Sequence, residues 1–189
     1  MKRGFAIALV PILFCAALAA AQTPPPMPAP GPELKKLDYF VGTWKSESEM
    51  KPPGSTSPGM KMSGVDHIEW MSGDFFLVVR STEASQMLQA QATGYMGYSP
   101  DEKFYTMDIF NSLGDAEHSK GTVEGDVWTF TSTRKMGDQS MKDRYTMTVT
   151  SPNSYSYKLE IAPAQSADYS TIAQGKKTRV SAANPAAGN

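Results

Sequence analysis

Apolar and polar side chains alternate with a period of two residues along most of the chain after Tyr39. Such alternation is typical of strands that bury one face and expose the other. The clearest runs are 127–131, 145–150 and 155–161. Gly-Asp pairs and Pro-containing groups separate the runs, and in the later half these turn signals recur roughly every 11–15 residues, as in consecutive hairpins. The pattern predicts about ten antiparallel strands.

A short helix precedes the first predicted strand. Pro32 suits the first position of a helix, and Leu34 and Leu37 fall on one helical face. This segment predicts one or two helical turns that cover one end of the fold. The first strand then opens with Gly42-Thr43-Trp44. Glycine lets the backbone bend closely, and Trp44, on the same strand face two residues later, can plug the end of a barrel.

The succession of strands predicts the fold class. An antiparallel meander must protect its edge strands, and closure into a barrel removes them. We therefore predict an all-β fold: a single antiparallel up-and-down β-barrel of about 8–10 strands with a short N-terminal helix. An open sandwich with protected edges is the alternative.

The N-terminal segments predict export. Residues 1–21 have a basic start, an apolar run and small residues before Gln22, which is typical of a secretory signal peptide cleaved after Ala21. Residues 22–32 are Pro-rich and predict a disordered linker, residues 33–180 the barrel domain, and residues 181–189 a disordered tail. The predicted location is the periplasm or outside the cell. An uncleaved anchor, or a lipid on Cys15, is the alternative.

Composition narrows the chemistry. Cys15 is the single cysteine, so cleavage would leave no disulfide, thiolate ligand or cysteine nucleophile. Without Lys2 and Arg3 the chain has 16 basic and 19 acidic side chains, which predicts no nucleic-acid partner and no membrane partner after cleavage. The sequence leaves the oligomeric state open.

The opening of the first strand resembles that of the calycins, the superfamily of lipocalins and fatty-acid-binding proteins. Gly42 and Trp44 match the Gly-x-Trp of the lipocalin signature. The resemblance implies that Arg179, near the end of the last strand, packs as a cation over Trp44. Haem-binding ten-stranded barrels have glycines where this chain has Ser46 and Ser48, and a C-terminal His, whereas no His follows His118. We therefore predict no haem and no other cofactor.

A broader likeness covers nearly the whole mature chain. It resembles a family of secreted bacterial domains of unknown function with a lipocalin-like barrel, and this likeness implies no catalytic residues. The matching groups are Leu37, Phe40, Gly42 and Trp44; Gly94, Tyr95, Gly97, Tyr98 and Pro100; Gly125, Asp126, Trp128 and Thr129; and Ser151, Pro152, Asn153 and Tyr155.

Charged residues on aromatic strand faces favour a binding module for a small apolar or amphipathic ligand. A buried charge must be paired, so it either forms an internal ion pair or anchors a ligand's polar head. Arg80 and Arg144 are the candidate anchors, and Asp108 shares a face with aromatic residues. The candidate lining residues are Trp70, Phe76, Tyr95, Tyr98, Phe110 and Trp128.

Two other function classes stay open. A structural or protein-interaction barrel would hold no small ligand and would act through its rim loops or an edge strand. A small periplasmic enzyme would need His67, Glu69 and Asp108 to converge on one substrate. A metal site would need His67, Glu69 and a third ligand from another strand, either Asp108 or His118, and we predict none. Since the chain has no Gly-x-Ser-x-Gly motif, a serine hydrolase is not favoured.

Overall fold

The structure is a computed structural model that describes residues 29–182. The predicted signal peptide, most of the predicted linker and residues 183–189 lie outside the described residues. A 3-10 helix, Leu34–Phe40, precedes ten strands. The strands are β1 (Gly42–Met50), β2 (Met60–Trp70), β3 (Phe76–Ala84), β4 (Gln89–Ser99), β5 (Phe104–Asn111), β6 (Ala116–Glu124), β7 (Val127–Met136), β8 (Gln139–Ser151), β9 (Ser154–Pro163) and β10 (Ser170–Ala182).

The ten strands form one closed antiparallel barrel. Each strand pairs with its neighbours in sequence, and β1 pairs with β10 to close the sheet. The predicted all-β up-and-down barrel with a short N-terminal helix is thereby confirmed. In the described range, we find no helix with the length and apolar character needed to cross a membrane.

Strand register determines which residues face the barrel interior. Along β3, for example, Leu77 and Val79 are buried while Phe76 and Arg80 are exposed. Neighbouring inner positions then pair across the sheet, such as Leu77 with Met96. The interior therefore combines a large apolar core with several polar and charged side chains.

The 3-10 helix closes the end of the barrel at which β1 begins, called here the capped end. Leu34, Leu37 and Phe40 of this helix are buried against the barrel core. The hairpin loops 51–59, 85–88, 112–115, 137–138 and 164–169 lie at the opposite end, called here the open end.

The predicted plug residues lie at the capped end. The Trp44 indole is fully buried and donates a hydrogen bond from Nε1 to the carbonyl oxygen of Phe40 at 2.8 Å. Arg179 lies with its guanidinium carbon 4.1 Å from the centre of the Trp44 ring and donates to the carbonyls of Val41 and Tyr39. Gly42 has a φ of 130°, a backbone conformation that favours glycine.

Candidate functional site in the barrel interior

The barrel interior contains a cavity of about 220 Å³ above the plug. Its walls are mostly aliphatic and thioether side chains, which form an adaptable apolar surface. Four polar side chains and two tyrosines complete the lining. The lining residues are Asp66, Ile68, Val79, Ser81, Met96, Met107, Ile109, Glu117, Tyr145, Met147, Tyr155, Leu159 and Lys177.

A buried ion pair lies in the wall of this cavity. Lys177 on β10 donates from Nζ to Oδ2 of Asp66 on β2, and the two residues are 8% and 1% exposed. The strands β1, β2 and β10 are neighbours in the closed sheet, so barrel closure brings the pair together. Within the described chain, Asp66 Oδ1 is buried and has no hydrogen-bond partner. The pair therefore leaves one buried carboxylate oxygen without a donor in the wall of the cavity.

The tyrosines and Glu83 around the ion pair are held in their neutral forms more strongly than usual. Burial raises the pKa of the Tyr145 and Tyr155 hydroxyls well above their ordinary value, although the Lys177 charge opposes this. Burial likewise raises the pKa of Glu83, and the negative charge of Asp66 adds to the shift. For Lys177, burial lowers the pKa, but Tyr155 and Asp66 outweigh it and the net pKa is well above its usual range.

A second group of charges, of which Asp143 is buried and the others half-buried, lies between the cavity and the open end. Arg134 Nε and Asp143 Oδ2 are 3.0 Å apart, without the alignment of a hydrogen bond. Glu117 Oε1 accepts hydrogen bonds from Ser119 Oγ at 2.8 Å and Ser132 Oγ at 3.0 Å. Burial raises the pKa of the Asp143 carboxyl, whereas Arg134 opposes that shift. The interior is therefore an apolar chamber with a polar group at each end.

An apolar hollow of about 620 Å³ lies at the open end. It is lined by the Pro-rich β1–β2 loop and by side chains at the adjoining strand ends, including Met50, Met60, Met136, Ile161 and Ile172. Three methionine side chains contribute to this surface, as three do to the cavity wall.

Three of the predicted lining residues lie on the inner face of the barrel, but at the capped end. Trp128 stacks edge-on against Phe40, with ring centres 5.2 Å apart, and against Tyr105 at 4.8 Å. Tyr98 packs against Tyr105, and Trp70 donates from Nε1 to Asp38 Oδ1 at 2.9 Å. These side chains belong to the packing around the 3-10 helix and not to the cavity wall.

The other six predicted site residues lie on the outer face: Phe76, Arg80, Tyr95, Asp108, Phe110 and Arg144. Phe76 covers Gly97 of the neighbouring strand, where a Cβ would come within 2.5 Å of the ring. Arg144 donates from Nε to Glu160 at 2.8 Å and lies over the Tyr169 ring. These contacts hold the outer side chains in external clusters, so they cannot anchor a ligand inside the barrel.

His67, Glu69 and Asp108 are not brought together. His67 Nδ1 lies 3.1 Å from Thr43 Oγ1, and Glu69 pairs with Arg80 at 2.6 Å. Asp108 pairs instead with His118 Nδ1 at 2.7 Å. The strands β3 and β4 separate β2 from β5, which corresponds to roughly 14 Å at the usual strand spacing. Residues 29–182 contain no group of three His, Cys, Asp or Glu side chains suited to a metal ion.

The structure identifies Asp66 and Lys177 as functional candidates that sequence reasoning missed. Asp66 shares its strand face with Met62, Ile68 and Trp70, a signal of the same kind that pointed to Asp108. Lys177 lies in the basic run 176–179, in which the sequence does not distinguish the inward side chain from its neighbours.

One family model covers most of the described chain. Residues 29–178 match the family model described as "Protein of unknown function (DUF1579)". The chain belongs to the DUF1579 family. No curated protein sequence matches this family member significantly.

Solved structures resemble this DUF1579 barrel at low sequence identity. The crystal structure of Rv2717c from M. tuberculosis is 14% identical, with a TM-score of 0.55 over 79% of this chain and 98% of that chain. A de novo designed fluorescence-activating β-barrel is 17% identical with a TM-score of 0.41, covering 75% and 94% of the two chains. The structure of EF1p2_mFAP2b bound to DFHBI is 12% identical, also at 0.41, covering 77% and 98%. The first likeness supports the fold alone.

Proposed function

We propose that this protein is a binding module that holds a small, largely apolar ligand in the barrel interior. The cavity of about 220 Å³ above the plug carries this proposal. A structural barrel with no ligand would gain stability from a filled core, because voids cost dispersion contacts. Here three methionines and several aliphatic side chains line open space instead.

The cavity volume sets the size of the ligand. A cavity of about 150 Å³ takes benzene, so about 220 Å³ scales to roughly nine non-hydrogen atoms. This corresponds to a single substituted ring or a short branched chain. The apolar hollow at the open end, opposite the helix and plug, supports entry from that side.

The proposal is tested with toluene and the methionine methyl groups. Protein labelled with ¹³C at methionine methyls is titrated with toluene, and the signals of Met96, Met107 and Met147 in the cavity wall are followed. We expect these three signals to shift saturably, whereas that of Met87, which is 88% exposed at a loop, should not.

A matched pair of variants locates the binding. Val79→Phe adds a ring from the cavity wall, and Thr82→Phe adds the same ring on the exposed outer face of the same strand. We expect Val79→Phe to abolish the toluene shifts and Thr82→Phe to retain them. Equal toluene binding by both variants would contradict an interior site.

We also propose that the chain is exported to the periplasm or beyond. The basic, apolar and small-residue sequence of residues 1–21 supports this. N-terminal sequencing of the protein recovered from a Gram-negative expression host tests it. The expected first residue is Gln22 in the periplasmic fraction, and an intact Met1 in the cytoplasmic fraction would contradict export.

A further inference from the structure

The polar end of the cavity restricts the chemistry of the ligand. We infer that the ligand is a neutral, hydroxyl-bearing single-ring compound of the phenol class, whose hydroxyl donates to Asp66 and accepts from Lys177. This inference rests on the proposed function and adds the chemical class of the ligand.

The first observation is the geometry of the ion pair. Asp66 uses Oδ2 for Lys177, while Oδ1 is buried among the described residues with no donor against it. A buried acceptor without a donor costs free energy, so a ligand that supplies an O–H or N–H is favoured there. Lys177 has three N–H donors and one carboxylate partner, so it can also donate to a ligand oxygen.

The charges around the cavity favour a neutral ligand over an ionised one. Asp66 and Glu117 both line the wall, so a ligand carboxylate would meet two negative groups and one positive group. A ligand ammonium would meet the same three groups, and contact with Asp66 would place it beside the Lys177 cation that already pairs with that carboxylate. A neutral group that both donates and accepts meets neither repulsion, and a hydroxyl is the smallest such group.

The apolar wall favours an aromatic body. The sulfur-bearing side chains of Met96, Met107 and Met147 all line the cavity. Thioether sulfur makes favourable contacts with aromatic ring edges and adapts to planar shapes. A phenol has seven non-hydrogen atoms and is smaller than the roughly nine that the volume holds, which leaves room for one or two ring substituents.

The test compares five ligands of similar size on the full chain at neutral pH, using the same methionine methyl signals. Toluene has the shape of phenol but no polar group, and anisole can accept but not donate. Benzoate and benzylamine carry the two charges. We expect phenol to bind about tenfold or more tightly than toluene and anisole, because a hydrogen bond to a charged group contributes that much. Benzoate and benzylamine should bind more weakly than phenol.

A pair of double variants assigns the preference to the ion pair. Asp66→Leu with Lys177→Met replaces both charges by apolar groups of similar size, a change that buried ion pairs commonly tolerate. Phenol should then lose its advantage over toluene, while toluene still binds. Glu69→Leu with Arg80→Met makes the same change to an exposed ion pair on the outer faces of β2 and β3, and should leave the phenol preference intact.

The outcomes separate the two proposals. Toluene binding without a phenol preference, or tightest binding of benzoate or benzylamine, overturns the phenol class and leaves the binding function standing. Failure of all five compounds to shift the cavity methyl signals overturns the binding function itself. If the inner double variant does not fold, the comparison of phenol with anisole on the unchanged protein still decides the question.

Discussion

Two glutamates show how residue surroundings set the sign of a charge effect. Glu83 lies on the inner side of β3 opposite Gly64, and burial raises the pKa of its carboxyl. Glu160 lies on β9, where burial would raise its pKa but hydrogen bonds from Arg144 and Lys158 outweigh it and lower the pKa. The native state therefore binds a proton at Glu83 more tightly than the unfolded chain does, and at Glu160 less tightly.

These opposite shifts predict opposite pH dependences for matched variants. As pH rises from 4 to 7, the contribution of Glu83 to the stability of the wild type decreases. The reason is that this carboxyl ionises at a lower pH in the unfolded chain than in the folded protein. Glu83→Gln removes that loss, so it should gain stability relative to wild type between pH 4 and pH 7. Glu160→Gln should lose stability over the same interval, because the stabilising charge of Glu160 is present at pH 7 and disappears in acid. Urea unfolding at both pH values measures the differences.

The same trend with pH for both variants would contradict the electrostatic assignment. Glu49→Gln provides a further control, because it changes a carboxyl at the end of β1 whose Oε1 accepts from a loop amide, that of Gly59. Its stability difference from wild type should stay small at both pH values.

At the scale of elements, the 3-10 helix covers the capped end and packs against the barrel core. Seven residues of 3-10 helix have little stability of their own, so packing must hold them in place. Leu37 is fully buried and Phe40 nearly so, and Tyr105 donates from its hydroxyl to the carbonyl oxygen of Glu33 at 2.9 Å. The helix, the plug and the capped ends of the strands therefore form one packed layer.

Truncation of a buried side chain of the 3-10 helix is expected to destabilise the whole barrel. Leu37→Ala should lower the free energy of unfolding by about 2–5 kcal/mol, the range for truncating a buried leucine. Lys36→Ala, at the neighbouring exposed position, should change it by less than about 0.5 kcal/mol. Equal effects of the two variants in urea denaturation would show that the helix does not contribute to the barrel's stability.

At the scale of the molecule, barrel closure places the start of the first strand beside the end of the last strand. Gly42 at the start of β1 lies opposite Ala182 at the end of β10. The β1–β2 loop at the other end is exposed around Gly54, where a Cβ would have open space. A cut in this loop, with the first and last strands rejoined, therefore keeps the order of strands around the barrel.

A circular permutant tests this description. Residues 55–182 are joined through a flexible linker of about 10 residues, which spans roughly 17 Å, to residues 33–54. We expect it to unfold in a single cooperative transition and to retain toluene binding at the cavity methionines. A control permutant that opens inside β2 after Asp66 should fail to fold, because it cuts two strand ladders. Failure of both permutants would argue against closure through β1 and β10.

The strands, the short N-terminal helix and the closure of the barrel could be predicted from the sequence. Alternation with a period of two, regular turn signals and the Gly-x-Trp opening are local features, and each constrains local backbone structure. The family resemblance, and not a local pattern, placed Arg179 with Trp44, and the structure has these two side chains in contact.

Tertiary structure alone decided which face points inward and which charges meet there. Phe76 and Phe110 look like interior residues in the sequence, but both are on the outer face and the Phe76 ring covers Gly97. Asp66 and Lys177 are 111 residues apart, and the closing contact between β1 and β10 brings them together. A period of two distinguishes two faces of a strand without saying which is concave, because that depends on the register and curvature of the whole sheet.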